Sequence, residues 1–199
     1  MSEQKANSAY HINNNRRNLD GNKENPRQVQ QSIAVRLRAG DKTAASELVD
    51  MYYEQIYLYM RRLGHDPQIS EDLTQESFFS AWRHIGQLRD GKSLNGWLYR
   101  IAGNASRLFW RKHKQISTLD DIKLQDVDKA IPDKVKHEEE LERLKIAVAR
   151  LPVKLRQTIV LHYMQQLTIA EAAQAADIRE GTFKSRLNRA LKVLRKQDI

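Results

Sequence analysis

Cysteine is absent from the 199-residue chain. Disulfides, thiolate nucleophiles and cysteine-type zinc sites are therefore excluded, which fits a reducing cytosol. The 8 glycines form no phosphate-cradling loop. No apolar run approaches the roughly 20 residues that cross a bilayer, and the N-terminus lacks a signal-peptide core. The expected location is cytoplasmic, with no direct membrane insertion. His84, His113, His137 and His162 share no metal-ligand spacing with one another or with carboxylates. No catalytic residue, metal or cofactor is expected, and an enzyme is the least supported class of function.

Positive charge is abundant instead: the net charge is +9 and the pI about 9.7, which points to a polyanionic partner. The charge comes in blocks. Residues 41–76 hold eight carboxylates against three basic residues, and residues 89–114 hold seven basic residues against Asp90. Residues 118–142 return to nine acidic against four basic. Two basic surfaces separated by acidic ones suggest two contacts with nucleic acid and other partners between them.

The most informative stretch is 168–196. Thr168 and Glu171 make a capping box, so a short helix is expected from Ile169. A break falls near Ala176, Asp177 and Ile178, and a longer helix follows over 179–196. Phe183, Leu187, Ala190, Leu191 and Leu194 form one apolar stripe on it. Thr182, Ser185, Asn188, Arg189 and Lys192 lie opposite, with Lys184 and Arg186 on the flanks. The second helix carries a charge of +6. A short helix, a turn and a basic helix is the layout of a helix-turn-helix DNA reader. The alternative is a solvated helix that closes a bundle, but such a surface usually mixes both signs.

The remaining chain is read as all-α. Residues 1–28 are too polar to offset their ordering entropy and are expected to form a disordered tail. Helices are expected over 29–39, from Asp41 to about residue 63, over 70–85 and over 94–113. On the third, Leu73, Ser77, Phe78, Ala81, Trp82 and Ile85 face inward. Asp72, Gln75, Glu76, Phe79 and Arg83 face outward, either as a protein-docking surface or as a solvated face with Phe79 covered by a neighbour. On the fourth, Trp97, Leu98, Ile101, Ala102, Ala105, Leu108 and Phe109 are core candidates. Its other sides carry Asn95, Tyr99, Arg100, Asn104, Ser106, Arg107, Trp110 and Arg111. Cations interleaved with Tyr99 and Trp110 suit single-stranded nucleic acid, although both rings are equally placed to be core. Residues 115–136 read as an acidic linker. Helical signals resume at His137, and Pro152 opens another helix that runs to about residue 166, with Ile159, Val160, Tyr163 and Met164 inside. The outcome is a 29–114 domain and a 137–199 domain.

Four segments resemble the extracytoplasmic-function (ECF) sigma factors of bacterial RNA polymerase: Arg38-Ala39-Gly40-Asp41 through Met51-Tyr52; Glu71-Asp72-Leu73-Thr74-Gln75-Glu76-Ser77-Phe78; Trp97-Leu98-Tyr99-Arg100-Ile101-Ala102 with Asn104; and Leu151-Pro152, Arg156 and Glu171 with Gly181-Thr182-Phe183-Lys184-Ser185-Arg186-Leu187. Ala172, Ala176 and Leu108 depart from the family pattern. The resemblance implies a sigma region 2 domain over 29–114 and a region 4 domain over 137–199. Asp72, Gln75, Glu76, Phe79 and Arg83 would dock on the clamp of the polymerase's largest subunit, and the C-terminal domain on the flap of the second largest. Arg89, Lys92, Ser93, Asn95, Tyr99, Arg100, Asn104, Arg107, Trp110 and Arg111 would hold the opened minus-ten element. Thr182, Lys184, Ser185, Arg186, Asn188, Arg189 and Lys192 would read the duplex minus-thirty-five element. The acidic linker would thread through the polymerase. An anti-sigma factor, often membrane-anchored in this family, is an expected partner. The competing class is a helix-turn-helix repressor or activator, which would need a sensor or dimerisation domain in place of residues 34–114.

Overall fold

The computed structural model describes residues 25–88, 94–114 and 135–196, and all regular elements among them are helices. The first four are α1 (Pro26–Arg38), α2 (Lys42–Arg62), α3 (Pro67–His84, ending in a 3-10 turn over Ile85–Gln87) and α4 (Leu94–Lys114). The second four are α5 (Val135–Arg150), α6 (Val153–Ile159, running into a π turn over Val160–Met164), α7 (Ile169–Ala176) and α8 (Glu180–Arg195).

Local signals account for the boundaries. Gly40 takes a φ of +81, the left-handed stop that releases α1, and Asp41 then caps α2. The Asp41 carboxylate accepts from the Thr43 hydroxyl at 2.6 Å and backbone N–H at 2.8 Å, and from Arg36 at 2.8 Å. The Thr43 bonds first, and then the Arg36 contact, hold that carboxyl down at about 2. Two starts come earlier than the apolar period implies. α1 begins at Pro26, so residues 26–28 leave the expected tail, and α3 begins at Pro67 behind an Asp66 cap bonded to the Ile69 N–H at 2.8 Å. Of the expected linker 115–136, residues 115–134 lie outside the described residues, as do residues 1–24 of the tail, and the last two open α5.

The first bundle closes on Ile33, Leu37, Leu48, Tyr52, Ile56, Tyr59, Leu88, Leu94 and Leu98, all buried. The inner line of α3 is rotated from the expected one. Ser70, Thr74, Ser77 and Ala81 are buried, while Leu73 and Phe78 are half-buried and Trp82 is exposed. Small residues let α3 lie close to its neighbours. Two of their hydroxyls are satisfied within the helix, Thr74 donating to the Ser70 carbonyl at 2.7 Å and Ser77 to the Leu73 carbonyl at 2.6 Å, while Ser70 donates to the His65 carbonyl before it at 3.3 Å. On α4, Leu108 is exposed against expectation, whereas Tyr99 and Ser106 are buried. Tyr99 is buried because the second bundle covers another side of α4, and Ser106 because His65 lies against it.

In the second bundle the capping box is complete. The Thr168 hydroxyl accepts from the Glu171 N–H at 3.3 Å, and the Glu171 carboxylate accepts from the Thr168 N–H at 2.9 Å. Asp177 ends α7 in the left-handed region, φ 57 and ψ 45, which a short polar side chain tolerates. Phe183, Leu187, Ala190 and Leu194 are buried as expected. Tyr163 is not inside: the π turn adds a residue per turn, rotates the following face, and leaves this ring exposed. Phe183 sits at 0% exposure beneath the helix-turn-helix, so Phe183→Ala should lower unfolding free energy by about 3–5 kcal/mol in urea melts. A loss under about 1 kcal/mol would show that the stripe does not anchor α8.

Candidate nucleic-acid interface

α8 lays its polar side open. Thr182, Lys184, Ser185, Asn188, Arg189 and Lys192 are exposed, and Arg186 is half-buried. Thr182, Ser185, Arg186 and Arg189 share a shallow groove with Pro152, Lys154 and Leu155 at the start of α6. Lys154 is a cation the linear reading missed, because only the fold brings the α6 N-terminus beside α8. The charged residues of this face are all cations, a chemistry that suits the DNA major groove.

α3 presents the opposite sign. Asp72, Gln75, Glu76, Phe79 and Arg83 are all exposed on one side of it. The Arg83 guanidinium lies 4.5 Å above the Phe79 ring, which fixes an uncovered aromatic among carboxylates. The covered-Phe79 alternative is thereby removed.

α4 is the third surface, and only part of it is open. Arg89, Lys92 and Ser93 lie outside the described residues. Arg100, Asn104, Arg107, Trp110 and Arg111 are exposed, and Asn95 is half-buried. Tyr99 is 1% exposed, its hydroxyl donating to the Gln165 side-chain carbonyl of the second bundle at 2.7 Å. Arg100 pairs with Asp177 at 2.9 Å, and Arg107 donates to the Ala176 carbonyl at 3.4 Å and to the Asn104 side chain. The site residues of α4 are therefore brought together, with the end of α7 seated on their cations.

The seam is tight because two glycines line α4. A side chain at Gly96 would meet Gln174 at 2.8 Å and the Glu171 carbonyl at 3.1 Å, and one at Gly103 would meet Gln157 at 3.1 Å. Residues 96 and 103 are two turns apart on one face, a spacing visible in the sequence but unread. At the far end Arg156 donates to the Leu63 carbonyl at 3.0 Å, in space left by Gly64, whose φ is +99. Among the described residues the Tyr52 hydroxyl, His65 Nδ1, Asn95 Oδ1, Arg156 Nε and Gln165 Nε2 are buried without a hydrogen-bond partner. Each such group costs about 1–3 kcal/mol.

Trp110 is held by His65, whose ring stacks on it with centroids 5.0 Å apart. His65 is buried, and its Nε2 lies 2.7 Å from the Ser106 hydroxyl. Desolvation first, offset in part by Asp66, lowers the imidazole pKa to about 4. The burial of His65 is legible only in three dimensions, because the residue lies in a turn after Gly64.

Two family descriptions match the chain: "Sigma-70 region 2" over residues 48–116 and "Sigma-70, region 4" over residues 141–194. The fold and its charged faces thus define a two-part, helix-turn-helix transcription factor. The ECF RNA polymerase sigma factor SigW of Bacillus subtilis (strain 168) is 31% identical over 172 residues, 81% of this chain and 92% of that one. The RNA polymerase sigma-H factor of Pseudomonas aeruginosa is 30% identical over 177 residues, 83% of this chain and 92% of that one. Among solved structures, CnrH in complex with the cytosolic domain of CnrY is similar at a TM-score of 0.64 and 20% identity, covering 85% of this chain and 96% of that one. The sigma factor RpoE from Bartonella quintana, in complex with the anti-sigma factor NepR, is similar at 0.61 and 21%, covering 76% and 94%. This chain belongs to the ECF family of RNA polymerase sigma factors. No helix among the described residues is long and apolar enough to cross a membrane.

The buried imidazole has a pH signature. A neutral His65 contributes fully above its unfolded value of 6.5, and that contribution is lost as pH falls toward the folded value of about 4. Thermal melts should fall across this window in the wild type and less steeply in His65→Gln. Parallel pH profiles would show that His65 is not the titrating group.

Proposed function

We propose that this chain is the promoter-specificity subunit of RNA polymerase and carries no catalysis of its own. Core polymerase supplies the chemistry, and the chain supplies sequence readout and binding energy that favours the opened strand. The observation that carries this reading is the pairing of an exposed anionic face on α3 with an exposed, wholly cationic face on α8 in one ECF-family chain. The α3 face, with Phe79 as its apolar anchor, docks on the clamp of the largest subunit. The second bundle docks on the flap of the second largest. Lys184, Ser185, Asn188 and Arg189 lie over the minus-thirty-five element, with Lys154 as an added phosphate contact. Arg100, Asn104, Arg107, Trp110 and Arg111 take the opened minus-ten strand, with the outer face of Trp110 as a stacking surface. The working location is the cytoplasm, on the nucleoid when bound to polymerase.

An anti-sigma factor is the proposed regulator, by analogy with the RpoE–NepR complex of like fold, and would hold the chain at the inner membrane where it is itself membrane-anchored. Purified chain and core polymerase should co-elute and initiate from selected promoters, and failure to do either would remove the reading.

Reversing charge in the double variant Asp72→Arg, Glu76→Arg should abolish co-elution and leave the helical circular-dichroism spectrum intact, since both side chains are exposed. Unchanged transcription would remove the docking assignment. Arg189→Ala should cost about 1–3 kcal/mol of minus-thirty-five binding, and equal loss on scrambled DNA would make Arg189 a phosphate contact.

A further inference from the structure

We infer that His65 is a positioning residue for strand capture: its ring, backed from inside the first bundle, presets the Trp110 indole to stack on an unpaired base of the promoter. The inference rests on the sigma-factor reading, in which Trp110 meets the opened minus-ten strand, and adds to it the residue that prepares the stack. Three observations carry it.

The first is how the imidazole reaches its place. His65 lies in the turn that ends α2, where Gly64 takes a φ of +99. The Gly64 N–H donates to the Arg61 carbonyl at 3.0 Å and the His65 N–H to the Met60 carbonyl at 3.3 Å, the pair of bonds that closes a helix around a left-handed glycine. The His65 carbonyl accepts from Arg61 Nη1 at 2.7 Å and from the Ser70 hydroxyl at 3.3 Å. Its Nε2 lies 2.7 Å from the Ser106 hydroxyl on α4. Backbone and ring are thus tied to α2, α3 and α4 at once. The residue is 3% exposed, although turns ordinarily lie on the surface.

The second is the geometry of the rings. Ser106 and Trp110 are one turn apart on α4, so the imidazole that bonds the first lies against the second. The His65 and Trp110 planes are 22° apart, close to parallel, with centroids separated by 5.0 Å. Phe109 stands nearly perpendicular to both, 5.1 Å from His65 and 5.6 Å from Trp110, and stacks on His113 at 3.9 Å. The indole is held on one face and by a perpendicular ring beside it, while Trp110 remains 41% exposed.

The third is that space-filling does not account for histidine here. Nδ1 of His65 is buried without a hydrogen-bond partner among the described residues, a penalty that leucine would avoid. Leucine would fill the space and leave the indole free to turn. A flat ring beneath a flat ring favours one orientation. An exposed tryptophan otherwise spreads over about six rotamers and loses that freedom when a base stacks on it. With His65 beneath it, the indole is ordered when the chain folds, before the strand arrives.

The test uses holoenzyme reconstituted from core polymerase and the full chain, with an opened-strand oligonucleotide from a promoter selected with the wild type. 2-Aminopurine, whose fluorescence is quenched by stacking, is moved along the strand one position at a time. The wild type should quench one position, and Trp110→Ala should abolish that quenching. His65→Gln keeps a polar partner for Ser106 but removes the ring. It should reduce the quenching and weaken strand affinity about threefold to tenfold, because the stacking-competent rotamer is then only part of the population. His65→Phe returns a ring without the hydrogen bond and should restore most of the affinity. In the Trp110→Ala background, His65→Gln should change nothing further. An equal loss in both backgrounds, or His65→Phe as weak as His65→Gln, overturns the inference, since His65 would then act through the fold and not through the stack. If Trp110→Ala leaves quenching and affinity unchanged, the stacking assignment falls and takes the inference with it. If Trp110→Ala weakens both and His65→Gln weakens neither, only the inference falls.

Discussion

Arg100 and Arg107 on α4 find acceptors on the second bundle, in Asp177 and the last carbonyl of α7, and that seam sets how the two bundles meet. Those partners cost nothing to bring in, because the chain already carries them. They are also weak, because the Arg100–Asp177 pair is half-exposed. The cations of α8 are exposed, except Arg186, which is half-buried.

The three charged faces divide labour by sign. Carboxylates flanking Phe79 on α3 repel DNA and favour a protein surface, whereas the cations of α8 attract DNA before any base is read. Between them, His65 and Ser106 fix the position of Trp110 without using its outer face. The first bundle therefore holds the Trp110 ring in place with its outer face open.

Much of this was legible along the chain, and the reasons differ by element. The helix-turn-helix was readable because a capping box, an apolar stripe and a one-sign polar face are local signals. Phe183, Leu187, Ala190 and Leu194 are buried as their spacing implies. α3 misled because hydrophobicity was taken as the guide to its inner line, while Ser70, Thr74 and Ser77 won that place by being small. Tyr163 was misplaced because a π turn changes the period, and nothing local announces one. The spacing of Tyr99 and Asn95 implies a helix with one covered side, and α4 has two. The second cover comes from residues about 70 positions away in sequence, such as Gln165 and Ala176, and no local pattern reports it.

The packing of α7 against α4 sets how the two bundles meet, and the distance between the bundles reports it most directly. Paired spin labels at Asp50 on α2 and Arg195 on α8, both exposed, measure that distance. The chain should give one short, narrow distribution, which Gly96→Leu broadens because a side chain there meets Gln174 at 2.8 Å. A broad distribution in the unsubstituted chain would contradict the account.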